Sequence, residues 1–315
     1  MLFRSSVAVD EKKGLVTIPS LGASTMKIAG AYGKSRFGLS LEIYPPKTEA
    51  GEAQLFAALE VLMAFRPSFV SCTYGAGGST RDKTLELVVK IRKAFDVTTA
   101  AHRTCVESTE EEIRQWLKEA TDAGIENIIA LRGDPPKGET AFQRPEGGLA
   151  YGNELVALIR GEFPHFSVAV AGYPETHQEA PSPEIDLANL KRKVEAGADA
   201  VITQLFYDNR DFFTFRARYR EAGIVAPLVP GILPVINMAQ VQRIASLCGA
   251  KLPASFLGDL ERSQGDPEGQ LNVGVEYAVR QCQELLDAGI PGLHFYVLNK
   301  AEAPRRTMRA LRLTG

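Results

Sequence analysis

The sequence predicts a single (β/α)8 barrel, and three observations lead there. Short apolar or β-branched runs alternate with segments of helical periodicity from residue 37 onward. Eight such runs fall within roughly 270 residues, the usual length of one barrel. The runs are apolar nearly throughout, as parallel strands covered on both faces require. A doubly wound open sheet is the structural alternative, because alternation alone does not decide closure. The missing GxGxxG fingerprint weighs against it.

In chain order, residues 1–36 are polar, glycine-containing and weakly patterned, and read as an N-terminal extension without an assignable role. The barrel then occupies residues 37–315. GLSLEIY (38–44) is the first strand, and AQLFAALEVLMAF (53–65) has the apolar spacing of a helix. FVSCTY (69–74) is the second strand and leads into GAGGST. TTAAHRT (98–104) is the third. The helix TEEEIRQWLKEATDAG follows, with Ser108 or Thr109 as N-cap and Gly124 as its stop. NIIALRGD (127–134) and SVAVAGY (167–173) precede the helical LANLKRKVEAG, which ends at Gly197. AVITQLFYD (200–208), LVPGIL (228–233) and GLHFYVLN (292–299) complete the strands. Arg305, Arg306, Arg309 and Arg312 have the spacing of a solvated face on a last helix.

Bulk properties narrow the function. The 315 residues are 45% hydrophobic and 23% charged, which is globular rather than disordered composition. A net charge of −2 leaves no electrostatic footprint for nucleic acid or an anionic membrane. Cys72, Cys105, Cys248 and Cys282 are far apart and form no metal-binding spacing, so reduced thiols and no metal are expected. MLFRSSVAVDEKKG lacks a signal-peptide core, and no apolar run reaches the length of a membrane span. A cytoplasmic protein is expected.

In a barrel the carboxyl ends of the strands share one rim, and polar groups recur there. The first strand delivers Glu42, the second Thr73, the third His102, and the fourth Arg132 and Asp134. The fifth brings Tyr173 with His177 beyond it, the sixth Gln204, and the last Tyr296 followed by Lys300. Any one of these is an ordinary strand-end residue. Their convergence makes a lined pocket the better reading. GAGGST has the look of a phosphate cradle without the lysine of a nucleotide-binding loop, and reads more simply as a tight turn. DLANLKRK sets Asp186, Asn189 and Lys193 on one helical face with Arg192 beside them, which by itself is a solvated face. His165 sits in a turn, and His294 is a core histidine or a ligand. No nucleophile motif stands out.

Taken as a set, the strand-end motifs resemble methylenetetrahydrofolate reductase. They are LEIYPPK (41–47), TYGAGGSTRD (73–82), AHRTC (101–105), LRGDPP (131–136), AGYPETH (171–177), DLANLKRKVEAGAD (186–199), ITQLFYD (202–208), PGILP (230–234) and HFYVLN (294–299). The resemblance implies a barrel binding FAD and reducing 5,10-methylenetetrahydrofolate to 5-methyltetrahydrofolate by ping-pong hydride transfer, or running in reverse in one-carbon catabolism. NADH or NADPH would be the electron donor, and a cofactor doing the hydride chemistry would account for the missing nucleophile. Glu42 would be the general acid, with a pKa raised by burial, and Asp134 would tune charge near the flavin. Thr73, His102, Arg132, Gly133, Tyr151, Gly152, Tyr173 and His177 would hold the flavin, and Asp186, Asn189, Arg192 and Lys193 its ribityl and phosphate portion. Glu42, Gln204, Tyr296 and Lys300 would line the substrate side. Homo-oligomers through outer helices are expected, as in relatives, and a C-terminal regulatory domain is not.

The sequence departs from the family pattern at Tyr44 before the prolines, at Arg103 where leucine is usual, and at Gly152 and Glu154. Lys300 stands in place of arginine and keeps the charge without the planar fork. A barrel of other chemistry acting on a phosphorylated small molecule is the alternative reading, and a catalytically silent binding barrel is a third.

Overall fold

The computed structural model describes residues 9–10, 15–17, 26–33, 36–74, 81–135, 138–139 and 142–314. GAGGST (75–80) and Pro136 lie outside the described residues. Nine parallel segments make the main sheet: β1 (Gly38–Ile43), β2 (Phe69–Cys72), β3 (Thr99–Thr104), β4 (Asn127–Leu131), β5 (Ser167–Gly172), β6 (Ala200–Thr203), β7 (Leu228–Val229), β8 (Gly231–Ile232) and β9 (Gly292–Tyr296). They pair in chain order from β1 to β7, while β8 pairs with β9 and β9 with β1.

The two ends of this sheet, β7 and β8, are one strand interrupted at Pro230. Proline has no N–H to give a ladder. Its carbonyl still accepts from His294 N at 3.0 Å, and Gly231 N turns to Thr203 Oγ1 at 2.9 Å. The segment therefore leans on β6 with its first half and on β9 with its second. That closes an eight-stranded barrel.

Alternation along each strand sorts two cores. Leu39, Leu41, Val70, Ile128, Val168, Val201, Leu293 and Phe295 point outward, where they pack in one buried cluster with Leu55, Leu59, Ile113, Trp116, Leu155, Phe212 and Leu285 of the helices. Phe69, Ala100, Ile129, Ala169, Ala200 and Val229 point inward and fill the barrel's lower half. The helices that complete the repeats are α2 (Glu49–Met63), α3 (Arg81–Phe95), α4 (Glu110–Asp122), α5 (Gly152–Glu162), α6 (Pro183–Glu195), α7 (Asn209–Glu221), α10 (Pro267–Asp287) and α11 (Glu302–Ala310). Two more helices, α8 (Met238–Cys248) and α9 (Ala254–Arg262), are inserted before α10 and carry a satellite core with Tyr207 and Val235. Among the described residues no helix is long and apolar enough to cross a membrane.

Helix boundaries follow their caps. Thr109, not Ser108, caps α4, accepting from Glu112 N at 3.2 Å while Glu112 Oε2 accepts from Thr109 N at 2.8 Å. The helix stops at Gly124, whose φ of +71° suits glycine. Helix α6 begins ahead of LANLKRKVEAG, at Pro183, because Ser182 caps it and proline fits the first turn.

The N-terminal extension is not idle throughout. Residues 26–33 carry the short helix α1 (Ile28–Ala31), which plugs the lower mouth of the barrel. The unpaired N–H groups of its first turn find side chains at the strand starts. Met26 N donates to Thr98 Oγ1 (3.2 Å), Ile28 N to Asn127 Oδ1 (2.8 Å) and Ala29 N to Ser167 Oγ (3.0 Å). Ile28, Ala31 and Tyr32 then join the inner core. Two-residue and three-residue strands at Val9–Asp10 and Leu15–Thr17 pair with each other, and the latter pairs with Leu313–Thr314 after α11.

Candidate active site at the barrel mouth

The inward positions of β1 and β9 are polar toward the top. Ser40 and Glu42 lie two apart on β1, His294 and Tyr296 two apart on β9, and the register sets Ser40 beside His294 and Glu42 beside Tyr296. His294 is fully buried and has both ring nitrogens engaged. Nδ1 lies 2.7 Å from Ser40 Oγ, and Nε2 lies 3.2 Å from Glu42 Oε2. His102 approaches from β3 and brings its Nε2 to 3.3 Å from the same carboxylate oxygen. Neither His102 nitrogen has a well-formed hydrogen bond, although the residue is 3% exposed.

These neighbours correct the expectation of a raised Glu42. Burial, the largest influence, does push its carboxyl upward. The ion pair with His102, together with the hydrogen bond and charge of His294, outweighs it and holds the group at about 2. At rest Glu42 is a carboxylate.

Tyr296 spans the interior and donates its hydroxyl to Thr203 O at 2.8 Å. Gly231 makes this possible, since a Cβ there would stand 2.7 Å from the Tyr296 ring. Gln204 lies just past the end of β6, where its side-chain oxygen accepts from Leu205 N. Lys300 is exposed beyond β9, after Leu298 and Asn299 with φ of +47° and +57°. Asn299 ties this turn to β1, donating to Tyr44 O (2.8 Å) and accepting from Tyr44 N (3.1 Å).

A second cluster sits on the adjoining rim, over β4, β5 and α6. Strand β4 ends at Leu131, so Arg132, Gly133 and Asp134 are loop residues rather than strand. Gly133 has φ +90°, and a Cβ would meet Val106 Cγ1 at 2.7 Å. Arg132 lies over the Phe142 ring and makes a two-pronged pair with Glu179 at 2.6 and 2.7 Å. The exposed Asp134 is one of the charges felt by Arg132 and Tyr173. Tyr173 packs edge-on against His177, at 4.6 Å between ring centres. His177 N donates to Asp186 Oδ2 at 3.1 Å.

Lys193 reaches under this cluster and donates to Ala171 O at 2.7 Å. Burial pulls its ammonium down to about 8, against the help of Asp186. The reading of DLANLKRK as a solvated face thus fails for Asp186 and Lys193. It holds for Asn189 and Arg192, which are exposed and hydrogen-bonded to each other at 2.7 Å. Gly152 opens α5 beside Arg132 N and Lys193 Cδ, while Tyr151 before it is 60% exposed. Thr73 continues the β1–β2 pairing, donating its N–H to Ile43 O at 3.0 Å.

Arg103 takes no part in the pocket. It is the outward neighbour of His102, fully buried over the Trp116 ring and donating to Ser108 Oγ at 3.0 Å. The sequence also left Ser40, Thr203, Glu179 and Asn299 unassigned. The signal for Ser40 was present, as a polar residue two before Glu42 in an otherwise apolar strand. Nothing local marks Glu179, whose partner is 47 residues away.

The family model for methylenetetrahydrofolate reductase matches residues 27–312. Methylenetetrahydrofolate reductase (NADH) 1 of Zea mays is 40% identical over 283 residues, covering 87% of this chain. The chain spans about half the length of such plant relatives, 48% in that case. The 5,10-methylenetetrahydrofolate reductase of Escherichia coli is 38% identical over 269 residues, covering 85% of this chain and 88% of that protein. Among solved structures, an uncharacterised protein from Clostridium thermocellum that binds two copies of 5-methyl-5,6,7,8-tetrahydrofolic acid shares the fold. Its TM-score is 0.58, at 15% identity over 88% of this chain and 94% of that one. A match spanning the barrel from its plug to its last helix shows that the chain belongs to the methylenetetrahydrofolate reductase family.

Proposed function

We propose that this chain interconverts 5,10-methylenetetrahydrofolate and 5-methyltetrahydrofolate, with FAD bound at the rim and NADH as electron donor. One observation carries the reading beyond family membership. A carboxylate on two buried histidines and a cationic, aromatic cluster share a single barrel mouth. The names of the plant relatives specify NADH.

The residues fit a flavin dinucleotide by their chemistry. Lys193, Arg132 and Arg192 offer positive charge to a diphosphate, with Asp186 and Asn189 available to sugar hydroxyls. Tyr151, Tyr173 and His177 supply ring surfaces, while Thr73, His102, Gly133 and Gly152 allow close approach and hydrogen bonding. The buried His102 Nδ1, which has no hydrogen bond, is what a ligand at the mouth would satisfy. FAD, when bound, supplies the hydride chemistry that no side chain offers.

Glu42 handles the proton at the nitrogen released when the methylene bridge opens. As the carboxylate it is at rest, it accepts that proton in the oxidative direction. A folate covering the mouth strips solvent from this half-buried group and drives its pKa upward, so that it donates in the reductive direction. Asp134 contributes negative charge at the rim. Gln204 and Tyr296 flank the substrate, and Lys300 presents a point charge to the folate carboxylates.

The test is a visible spectrum of the purified, FAD-supplemented and desalted protein, followed anaerobically. A retained flavin band that bleaches with NADH and returns with 5,10-methylenetetrahydrofolate supports the proposal. Well-folded protein retaining no flavin overturns it and favours a barrel acting on a phosphorylated small molecule.

A further inference from the structure

Helix α8 follows the upper end of β8, and its C-terminal end reaches the rim between the two clusters. Its last residue, Cys248, is close enough to feel the charge of Asp134 in one cluster and to act on Tyr173 and Tyr296. The satellite core that packs on α8 takes in Tyr296 and Leu298 from the end of β9. Helix α8 is therefore a wall of the mouth.

Two side chains of the loop between β5 and α6 hold this end of α8. Half-buried Glu175 accepts from Lys251 N through Oε1 at 2.8 Å. Gln178 Nε2 donates to Leu247 O at 3.3 Å, engaging a carbonyl that the helix end leaves open. The Gln178 side chain lies against Gly249, where a Cβ would stand 2.5 Å from Nε2. Among the described residues, these are the only hydrogen bonds that tie residues 247–252 to the barrel.

The same loop has separate ties to the rim. His177 N donates to Asp186 Oδ2, the His177 ring packs on Tyr173, and Glu179 pairs with Arg132. Between the two sets of contacts stands Thr176, at φ +74°. A β-branched residue is strained there and persists only where its surroundings fix it. Its two neighbours serve opposite partners, Glu175 the end of α8 and His177 the rim cluster.

We infer that Glu175 is a positioning residue for the substrate, clasping the end of α8 to the loop of Tyr173 and His177 so that the wall beside Tyr296 keeps its place. The loop is the anchor, because its rim contacts remain when the clasp opens. Burial pushes the Glu175 carboxyl up, and the Lys251 N–H pulls it down more than the Lys251 ammonium does. The hydrogen bond thus matters more than the charge, and glutamine should serve in its place.

Cys248 is the reporter, since Cys72, Cys105 and Cys282 are buried and it is not. Its alkylation by iodoacetamide, followed by mass spectrometry, should quicken about three- to tenfold in Glu175→Ala. In Glu175→Gln it should stay within about twofold of wild type. An unchanged rate in a folded Glu175→Ala chain overturns the inference. Reaction of all four thiols would mean that this variant has unfolded, and an unchanged rate in Gln178→Ala then does the same. The consequence for substrate rests on the reductase proposal. There, Glu175→Ala should raise the KM for 5,10-methylenetetrahydrofolate about fivefold with kcat within about twofold, and Glu175→Gln should restore it. Faster alkylation with an unmoved KM overturns the role toward substrate. Alkylation requires neither flavin nor folate, so loss of the reductase reading leaves the clasp testable by itself.

Discussion

Glu42 and Lys193 show how a single side chain takes its chemistry from its partners. Both are pushed toward neutrality by burial, yet Glu42 stays charged because two imidazoles face it, while Lys193 has one partly compensating carboxylate in Asp186. Glu42→Gln keeps the shape and loses the proton. The folate half-reaction should slow by about 10²–10⁴-fold in stopped-flow traces, with NADH-driven bleaching left near wild type. Lys193 predicts a pH dependence of the opposite charge type. Below pH 8 it is an ammonium that attracts a diphosphate, and as the pH rises through about 8 it becomes neutral. FAD affinity, read by fluorescence quenching, should therefore weaken from pH 7 to pH 9.5. In Lys193→Met it should be roughly ten- to a hundredfold weaker at pH 7 and should lose that step.

At the scale of elements, the site depends on where strands begin and on how loops are tied. The plug helix has four residues and could not persist alone. It is held by strand-start side chains and by a ring seated against two glycines. Gly38→Ala would drive a methyl group into Ala31 O and the Tyr32 ring, both 2.5 Å from the added carbon. A loss of about 1–3 kcal/mol is expected in urea unfolding, together with release of the plug. Asn299 works at the other end of β1. Its amide imitates one rung of a sheet against Tyr44, and Asn299→Ala should cost about 1–2 kcal/mol and raise the KM for folate more than that for NADH. A larger effect on NADH would mean that the turn serves the donor instead.

At the scale of the molecule, closure makes the site. Glu42 and His294 are 252 residues apart in sequence, and they meet because β9 pairs with β1. The flavin cluster draws on a loop, a strand end and a helix that are neighbours only on the finished rim. A ligand bound there stabilises the folded chain alone. FAD at a hundredfold excess over its Kd should add about 2.7 kcal/mol and raise the thermal midpoint accordingly. An unmoved midpoint would count against the flavin reading.

The sequence by itself determined the alternation, the strand positions and the polar strand ends, because burial on both faces and the 3.6-residue helical repeat leave marks in neighbouring residues. Glu42, His102, Arg132 and Tyr173 were legible as polar strand ends for that reason, whereas the pattern around Lys193 read only as a solvated helix face. Strand length was overread past Thr203, where Leu205, Phe206 and Tyr207 are apolar and look like strand, and past Leu131, where Arg132, Gly133 and Asp134 form a loop. Tertiary structure alone decided the rest. The Arg132–Glu179 pair, the plug beneath the barrel and the charged state of Glu42 all depend on partners tens to hundreds of residues away. Electrostatics and hydrogen bonding act through space over a few ångströms, and only the closed barrel brings those groups within that distance.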